Sequence, residues 1–139
     1  MRVDAFLHPV RVYWEDTDAG GVVYHAQYVA FLERARSQWL QVLGHSQQQL
    51  MQHDDLVFAV RAMQLDFRKP ARLDDALTVG VALRECRAAS LVFAQWIDRD
   101  GERLLDAQVK VAALSARSFR PRAIPEPLLS QLQPLQTAD

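Results

Sequence analysis

The sequence predicts an α+β domain in which an antiparallel sheet of about five strands curls around one long central helix. Three observations carry that prediction. Residues 26 to 43 repeat apolar side chains every three or four positions, the period of a helix face. Five other segments read as strands, and in four of them apolar side chains recur at every second residue, the period of a half-buried strand. The links between the last four of those segments are short, and short links require antiparallel neighbours.

The elements follow in order. The first strand is expected over Pro9 to Glu15, where Val10, Val12 and Trp14 alternate with Arg11, Tyr13 and Glu15. A turn rich in Asp, with Gly20 and Gly21, ends it. The helix then runs from about Ala26 to Leu43, with Tyr28, Leu32, Ala35, Trp39 and Val42 on one face. Its first half, YVAFL, is apolar on every side and should be covered all round. Glu33 and Arg36 stand where they can pair one turn apart, and Gly44 is a natural stop. Four strands follow with little helix between them. Met63, Leu65 and Phe67 share a face in residues 61 to 68, and Leu77, Val79, Val81 and Leu83 share one in the next strand. LVFAQWI is the fourth strand. Asp100-Gly101 signals a hairpin into the last, where Leu105, Ala107, Val109, Val111 and Ala113 alternate. A basic, proline-punctuated tail and one short terminal helix close the chain. A helix too apolar for a wet surface explains why the sheet should wrap it, and the remaining edge strand calls for a second copy.

Composition narrows the function. The 139 residues suit one domain spanning 1–139. Half of them are hydrophobic, enough for a core without disulfides. With 16 basic and 17 acidic residues the net charge is −1, which gives no general attraction to nucleic acid or to a membrane surface. Any anion must be recognised locally. The lone cysteine, Cys86, fits a reducing compartment. The charged N-terminal stretch does not read as a signal peptide, and no run approaches the roughly 20 apolar residues of a membrane span. A cytoplasmic location is expected. His45 and His53 lie in a Gln-rich segment and His8 is isolated, so no spacing resembles a metal site and none is expected.

The most informative stretch is EDTDAGGVVYHAQYVAFLERAR, residues 15 to 36, in which a crowded acidic turn precedes a glycine pair, an aromatic-His pair and the helix. It resembles the hotdog-fold acyl-CoA thioesterases, in particular the 4-hydroxybenzoyl-CoA thioesterase family and its tol–pal-associated branch. FRKPARLDDALTV, residues 67 to 79, and RPRAIPE, residues 120 to 126, extend the likeness over nearly the whole chain. The family usually has Asn where this chain has Gln27, a change at the helix start beside the pocket rim.

The resemblance implies an enzyme that splits an acyl-CoA thioester with water into a carboxylic acid and free coenzyme A, with no cofactor. It makes Asp18 the catalytic carboxylate, as general base on water or as nucleophile through an acyl-enzyme anhydride. The oxyanion donors are expected from free N–H groups at the helix start around His25. Gly20 and Gly21 let the chain fold back so that Asp18 faces that helix end. By itself Asp18 would read as a solvated turn carboxylate or helix cap. Asp16 and Glu15 orient the turn or face solvent. His25 positions the substrate, bonds the thioester oxygen or merely caps the helix. Tyr24 and Tyr28 line the acyl pocket or pack the core. Arg117, Arg120 and Arg122, and then Arg68 and Lys69, are candidates for the coenzyme A phosphates, with ordinary solubilising charge as their plainer reading. A homodimer or homotetramer is implied, with sites at the subunit interface and an acyl carrier protein as a further partner.

Two rivals stand beside it. Other hotdog proteins hydrate enoyl-CoA with an Asp-His pair, but place the His five residues after the Asp, whereas Asp18 and His25 are seven apart. A non-catalytic acyl-CoA or acyl-carrier binding module is the other, and it has no use for an acid near a scissile carbonyl.

Overall fold

The computed structural model describes residues 5–137. Strand β1 (Phe6–Arg11) leads through a 3₁₀ turn, Trp14–Asp16, to the long helix α1 (His25–Val42) and the short α2 (Gln47–Asp54). Strands β2 (Val57–Phe67), β3 (Ala76–Cys86), β4 (Ser90–Arg99) and β5 (Glu102–Leu114) follow, then α3 (Glu126–Leu132). All five strands join one antiparallel sheet in the order β1-β3-β4-β5-β2. The two edges are therefore β1 and β2.

Helix α1 lies in the hollow of the curled sheet. Phe31, Leu32 and Ala35 are fully buried in one core with Val79, Val81, Leu83 and Phe93. Trp39 meets Phe93 edge-on at 5.3 Å between ring centres. Around the first two turns Tyr28, Phe31 and Leu32 are buried, whereas Val29 and Ala30 are only half covered within one copy. The helix stops where expected. Gly44 adopts φ +99, its N–H donates to the Gln41 carbonyl, and the N–H of His45 donates to that of Leu40. This is the paired closure that a left-handed glycine permits.

The hairpin at Asp100-Gly101 is a two-residue loop with φ of 51° and 78°, joining Arg99 to its cross-strand partner Glu102. That is the twist-matched turn its dipeptide calls for. Nearby, Gly80 on β3 pairs with Trp96 on β4. A Cβ at position 80 would lie 2.0 Å from the indole Cε2, so the ring occupies the space of an absent side chain. Successive strand residues face opposite ways, so Trp96 faces away from α1 while Gln95 faces it. The Arg103 guanidinium sits 5.5 Å above the Trp96 ring.

Four expectations need correction. The first strand runs from Phe6 to Arg11, not from Pro9 to Glu15. Val12 is fully buried, but Tyr13 and Trp14 swing outward, because the Asp16 carboxylate accepts the Tyr13 N–H at 2.8 Å and draws the chain into a tight turn. Helix α2 stands where little helix was expected. Ser46 caps it, its hydroxyl accepting the Gln49 N–H at 3.1 Å, but only Leu50 is buried, so no apolar period betrays it. Strand β2 starts at Val57 rather than at Arg61. The anticipated Glu33–Arg36 pairing is also replaced. Arg36 donates instead to Gln95 Oε1 at 2.8 Å, and Gln95 in turn donates to the Leu32 carbonyl, while Glu33 accepts the Ser37 hydroxyl. Among the described residues no helix is long and apolar enough to cross a membrane.

Candidate active site

The acidic turn is a small hairpin laid against the start of α1. Thr17 and Val23 form an antiparallel bridge. Beyond it, the Asp18 N–H donates to the Val22 carbonyl at 2.9 Å and the Gly21 N–H to the Asp18 carbonyl at 3.1 Å. Gly21 takes φ +79, a conformation that costs other residues dearly. Gly20 donates its N–H to Asp18 Oδ1 at 2.8 Å. Oδ2 accepts nothing from the described residues and the side chain is exposed. The hairpin tip therefore holds one carboxylate oxygen and leaves the other to solvent.

Two anchors fix this tip. Val23 donates to the Ala71 carbonyl at 2.9 Å and Val22 bridges Arg72, stitching the hairpin to the segment before β3. The second anchor is Asp16, only 3% exposed. Its Oδ2 holds the Tyr13 N–H, its Oδ1 accepts Gln27 Nε2 at 2.8 Å, and its carbonyl accepts the Tyr24 N–H at 2.9 Å. Gln27 thus reaches back from the first turn of α1 to clasp the hinge that carries Asp18. Replacing Asp16 with Asn removes the buried charge from both hydrogen bonds and forces the Gln27 amide to turn over to keep its clasp. We expect a loss of about 2–3 kcal/mol, read by chemical denaturation.

Helix α1 begins at His25 with no side-chain cap. The N–H groups of His25 and Ala26 meet no acceptor among the described residues, while Gln27 N–H turns back to the Tyr24 carbonyl at 2.8 Å. The hairpin that carries the exposed Asp18 carboxylate thus runs directly into a helix start with free amides and the positive end of the helix dipole. The arrangement can bind an oxyanion while an adjacent oxygen activates water.

The other sequence candidates divide. Tyr24 is half exposed and its ring lies 4.5 Å from that of His25, which is exposed and makes no hydrogen bond to Asp18. Tyr28 is buried, its hydroxyl accepts the Ala71 N–H at 3.0 Å, and its ring meets Phe67 at 5.5 Å. Burial pushes its phenol above the ordinary value, and the charges of Asp75 and Asp18 add to this against the opposing Ala71 hydrogen bond and Arg99 charge. Arg68 pairs with Asp106 at 2.7 Å, and Lys69 with Glu102 at 2.5 Å, both near the Asp18 end of α1. Arg122 caps the end of α2, donating to the Asp54 and Asp55 carbonyls. Arg117 and Arg120 project into solvent nearby, Arg117 4.0 Å from Asp55. Within one copy, the tail arginines thus lie at the opposite end of α1 from Asp18.

Sequence reasoning missed the cluster that braces the Ala71 segment. Arg99 donates to Asp75 at 2.8 Å, to Glu102 at 3.0 Å and to the Pro70 carbonyl at 3.2 Å. Burial opposes it, but the Arg99 hydrogen bond, the Arg72 amide and both cationic charges hold the Asp75 carboxyl below its ordinary value. These partners lie 24 residues apart, and no local pattern announces such a pair.

Known proteins agree with this architecture. The family model described as the thioesterase-like superfamily matches residues 12–132. The acyl-CoA thioesterase YbgC of Haemophilus influenzae is 43% identical over 126 residues, 91% of this chain and 93% of that protein. The acyl-CoA thioester hydrolase YbgC of Escherichia coli O6:H1 is 45% identical over 134 residues, 96% and 99% of the two chains. A probable thioesterase from Bartonella henselae, known from its crystal structure, superposes with a TM-score of 0.84 at 34% identity, covering 87% of this chain and 99% of that one. With a sheet wrapped on a central helix, an acid-bearing hairpin at that helix's start and likeness along almost its whole length, this chain belongs to the thioesterase-like superfamily of hotdog proteins.

Proposed function

We propose that this protein is a cytoplasmic acyl-CoA thioesterase that hydrolyses an acyl-CoA to a carboxylic acid and free coenzyme A. The observation that carries the reading is Asp18, held among the described residues through Oδ1, on a hairpin that Asp16 clasps to the uncapped start of α1. A thioester carbonyl seated between them meets the free amides with its oxygen and the Asp18 side with its carbon. Asp18 then serves as general base on water or as nucleophile. The relatives' names supply the thioester class. The spacing of seven residues from Asp18 to His25, against the five of the hydratases, weighs against an enoyl-CoA hydratase. The test is thiol release over a panel of acyl-CoAs, with crotonyl-CoA absorbance followed in parallel. Thiol release supports hydrolysis. Loss of enoyl absorbance without thiol, or binding without either, sinks it.

The working unit in this proposal is a dimer built on β2. This edge strand is 11 residues long, with one side unpaired and Val60 and Phe67 about half exposed. Such an edge is a template for a second strand. Its Phe67 end lies by Tyr28 and the start of α1, and its Val57 end follows Asp55 and the tail arginines. Antiparallel pairing about a two-fold axis brings the Phe67 end of one copy toward the Val57 end of the other. Arg117 and Arg120 of one copy then approach the Asp18 end of its partner, where the coenzyme A phosphates need cations. A lysine placed on this edge by Val60→Lys should shift the mass in light scattering from dimer to monomer and cut turnover at least about tenfold. An unchanged mass would refute β2 pairing.

A further inference from the structure

A cavity of about 210 Å³ lies between the middle of α1 and the edge strand β2, and one cation reaches it. Its walls are mostly apolar, with Trp39, Phe58, Val60 and Phe93 among them, and Glu33, Ser37 and Gln47 are its polar members beside the cation. The cation is Arg36, which donates Nη1 to Gln95 Oε1 at 2.8 Å. Gln95 is 1% exposed and spends its own amide on the Leu32 carbonyl, so the guanidinium is held in place from behind. Arg36 is part of the cavity lining, and its other N–H groups meet no acceptor among the described residues. Burial pushes this guanidinium below its ordinary value, with Glu33 opposing, as for a cation largely out of water. Glu33 and Ser37 at the rim are tied to each other.

We propose that this cavity takes the acyl group of the thioester and that Arg36 selects acyl chains carrying an acceptor oxygen at the end remote from the thioester. The proposal rests on the hydrolase reading above. Space and reach both support it. The volume holds about seven water-sized groups at about 30 Å³ each, which suits a short or single-ring acyl group. Arg36 lies about 16 Å along the helix from His25, at about 1.5 Å per residue. An extended chain advances about 1.2 Å per bond, so a six-carbon acyl group spans about 7 Å and cannot join the two places within one copy. The β2 pairing removes the mismatch, because it brings the Asp18 end of the partner to the Phe58 end of this strand. An apolar chain entering alone would leave the guanidinium donors desolvated and unpaired, a penalty that an oxygen acceptor removes. The acceptor can be a carboxylate, a hydroxyl or a carbonyl, and the assay separates them.

The experiment compares hexanoyl-CoA with its adipoyl and 6-hydroxyhexanoyl counterparts in wild type, Arg36→Met and Arg36→Lys. Wild type should favour at least one oxygenated chain in kcat/KM. Arg36→Met should lose about 10- to 100-fold on that chain and little on hexanoyl-CoA. Arg36→Lys keeps the charge and a donor for Gln95, so it guards against misfolding. It should retain more of the preference. Loss of the adipoyl preference alone marks a carboxylate, and loss of the hydroxyl preference alone a neutral acceptor. Equal losses on all three chains, or no preference in wild type, overturn the proposal. Calorimetry of the same three ligands on Asp18→Asn protein reads the cavity even where nothing turns over. Tighter binding of an oxygenated chain, abolished by Arg36→Met, upholds the selection though hydrolysis fails, and equal affinities overturn it.

Discussion

Asp18→Asn should lower thioester turnover by at least about a hundredfold, the usual worth of a positioned base, while the fold stays intact. Asn retains an oxygen that can accept the Gly20 N–H, so the hairpin keeps its shape. It loses the charge and the basic lone pair. Because the side chain is exposed, the stability change should stay within about 0.5 kcal/mol. The fall should appear in kcat with KM little altered, since water activation is needed only on the way to the transition state. Unchanged turnover would remove Asp18 from the chemistry. Single-turnover hydrolysis in isotope-labelled water then tests the nucleophilic route, because label enters Asp18 only when an acyl-enzyme anhydride forms and water opens it at the aspartyl carbon. The contrast with Asp16→Asn is part of the expectation: two acids two residues apart, one bearing the reaction and the other the hinge.

The second large effect is on stability. Phe31 is fully buried at the centre of α1 and meets Tyr28 edge-on at 6.3 Å. Phe31→Ala should cost about 3–5 kcal/mol, combining lost burial with a cavity that the curled sheet cannot close. For a chain of this length that corresponds to a drop of roughly 10–20 °C in Tm, read by calorimetry or circular dichroism. The same deletion also loosens the wall that seats Tyr28, whose hydroxyl tethers the Ala71 segment and so the hairpin. A drop of less than about 1 kcal/mol would mean the helix is not the keystone of this core.

Much of this architecture was legible because burial writes a period into the chain. The long helix, its glycine stop and the hairpin at Asp100-Gly101 all came from local patterns and stand within a residue or two of their expected places. The overshoot of the first strand came from the same logic. Alternation through Trp14 continued after the backbone had turned, since the bond that turns it comes from the Asp16 side chain. Helix α2 escaped because a polar helix held by a serine cap and one leucine has no period to read. The site was half visible. A motif could nominate Asp18, but not that Gln27 would fasten Asp16, nor that Arg99 and Asp75 would brace the loop from another strand. Such contacts are made by tertiary proximity, which spacing along a chain does not encode. The basic tail shows the opposite case. Its three arginines looked alike in sequence, yet Arg122 is consumed by the carbonyls at the end of α2, while Arg117, 4.0 Å from Asp55, and Arg120 project into solvent.

The indole of Trp96 resting in the notch at Gly80 has an evolutionary corollary. The two sites must drift together and in a fixed order. A lineage that first trims the tryptophan opens room for a methyl at position 80 and stays folded at the cost of a void. One that adds the methyl first meets the ring head-on and is purged. Homologues bearing alanine or larger at the first site should therefore carry a small residue at the second.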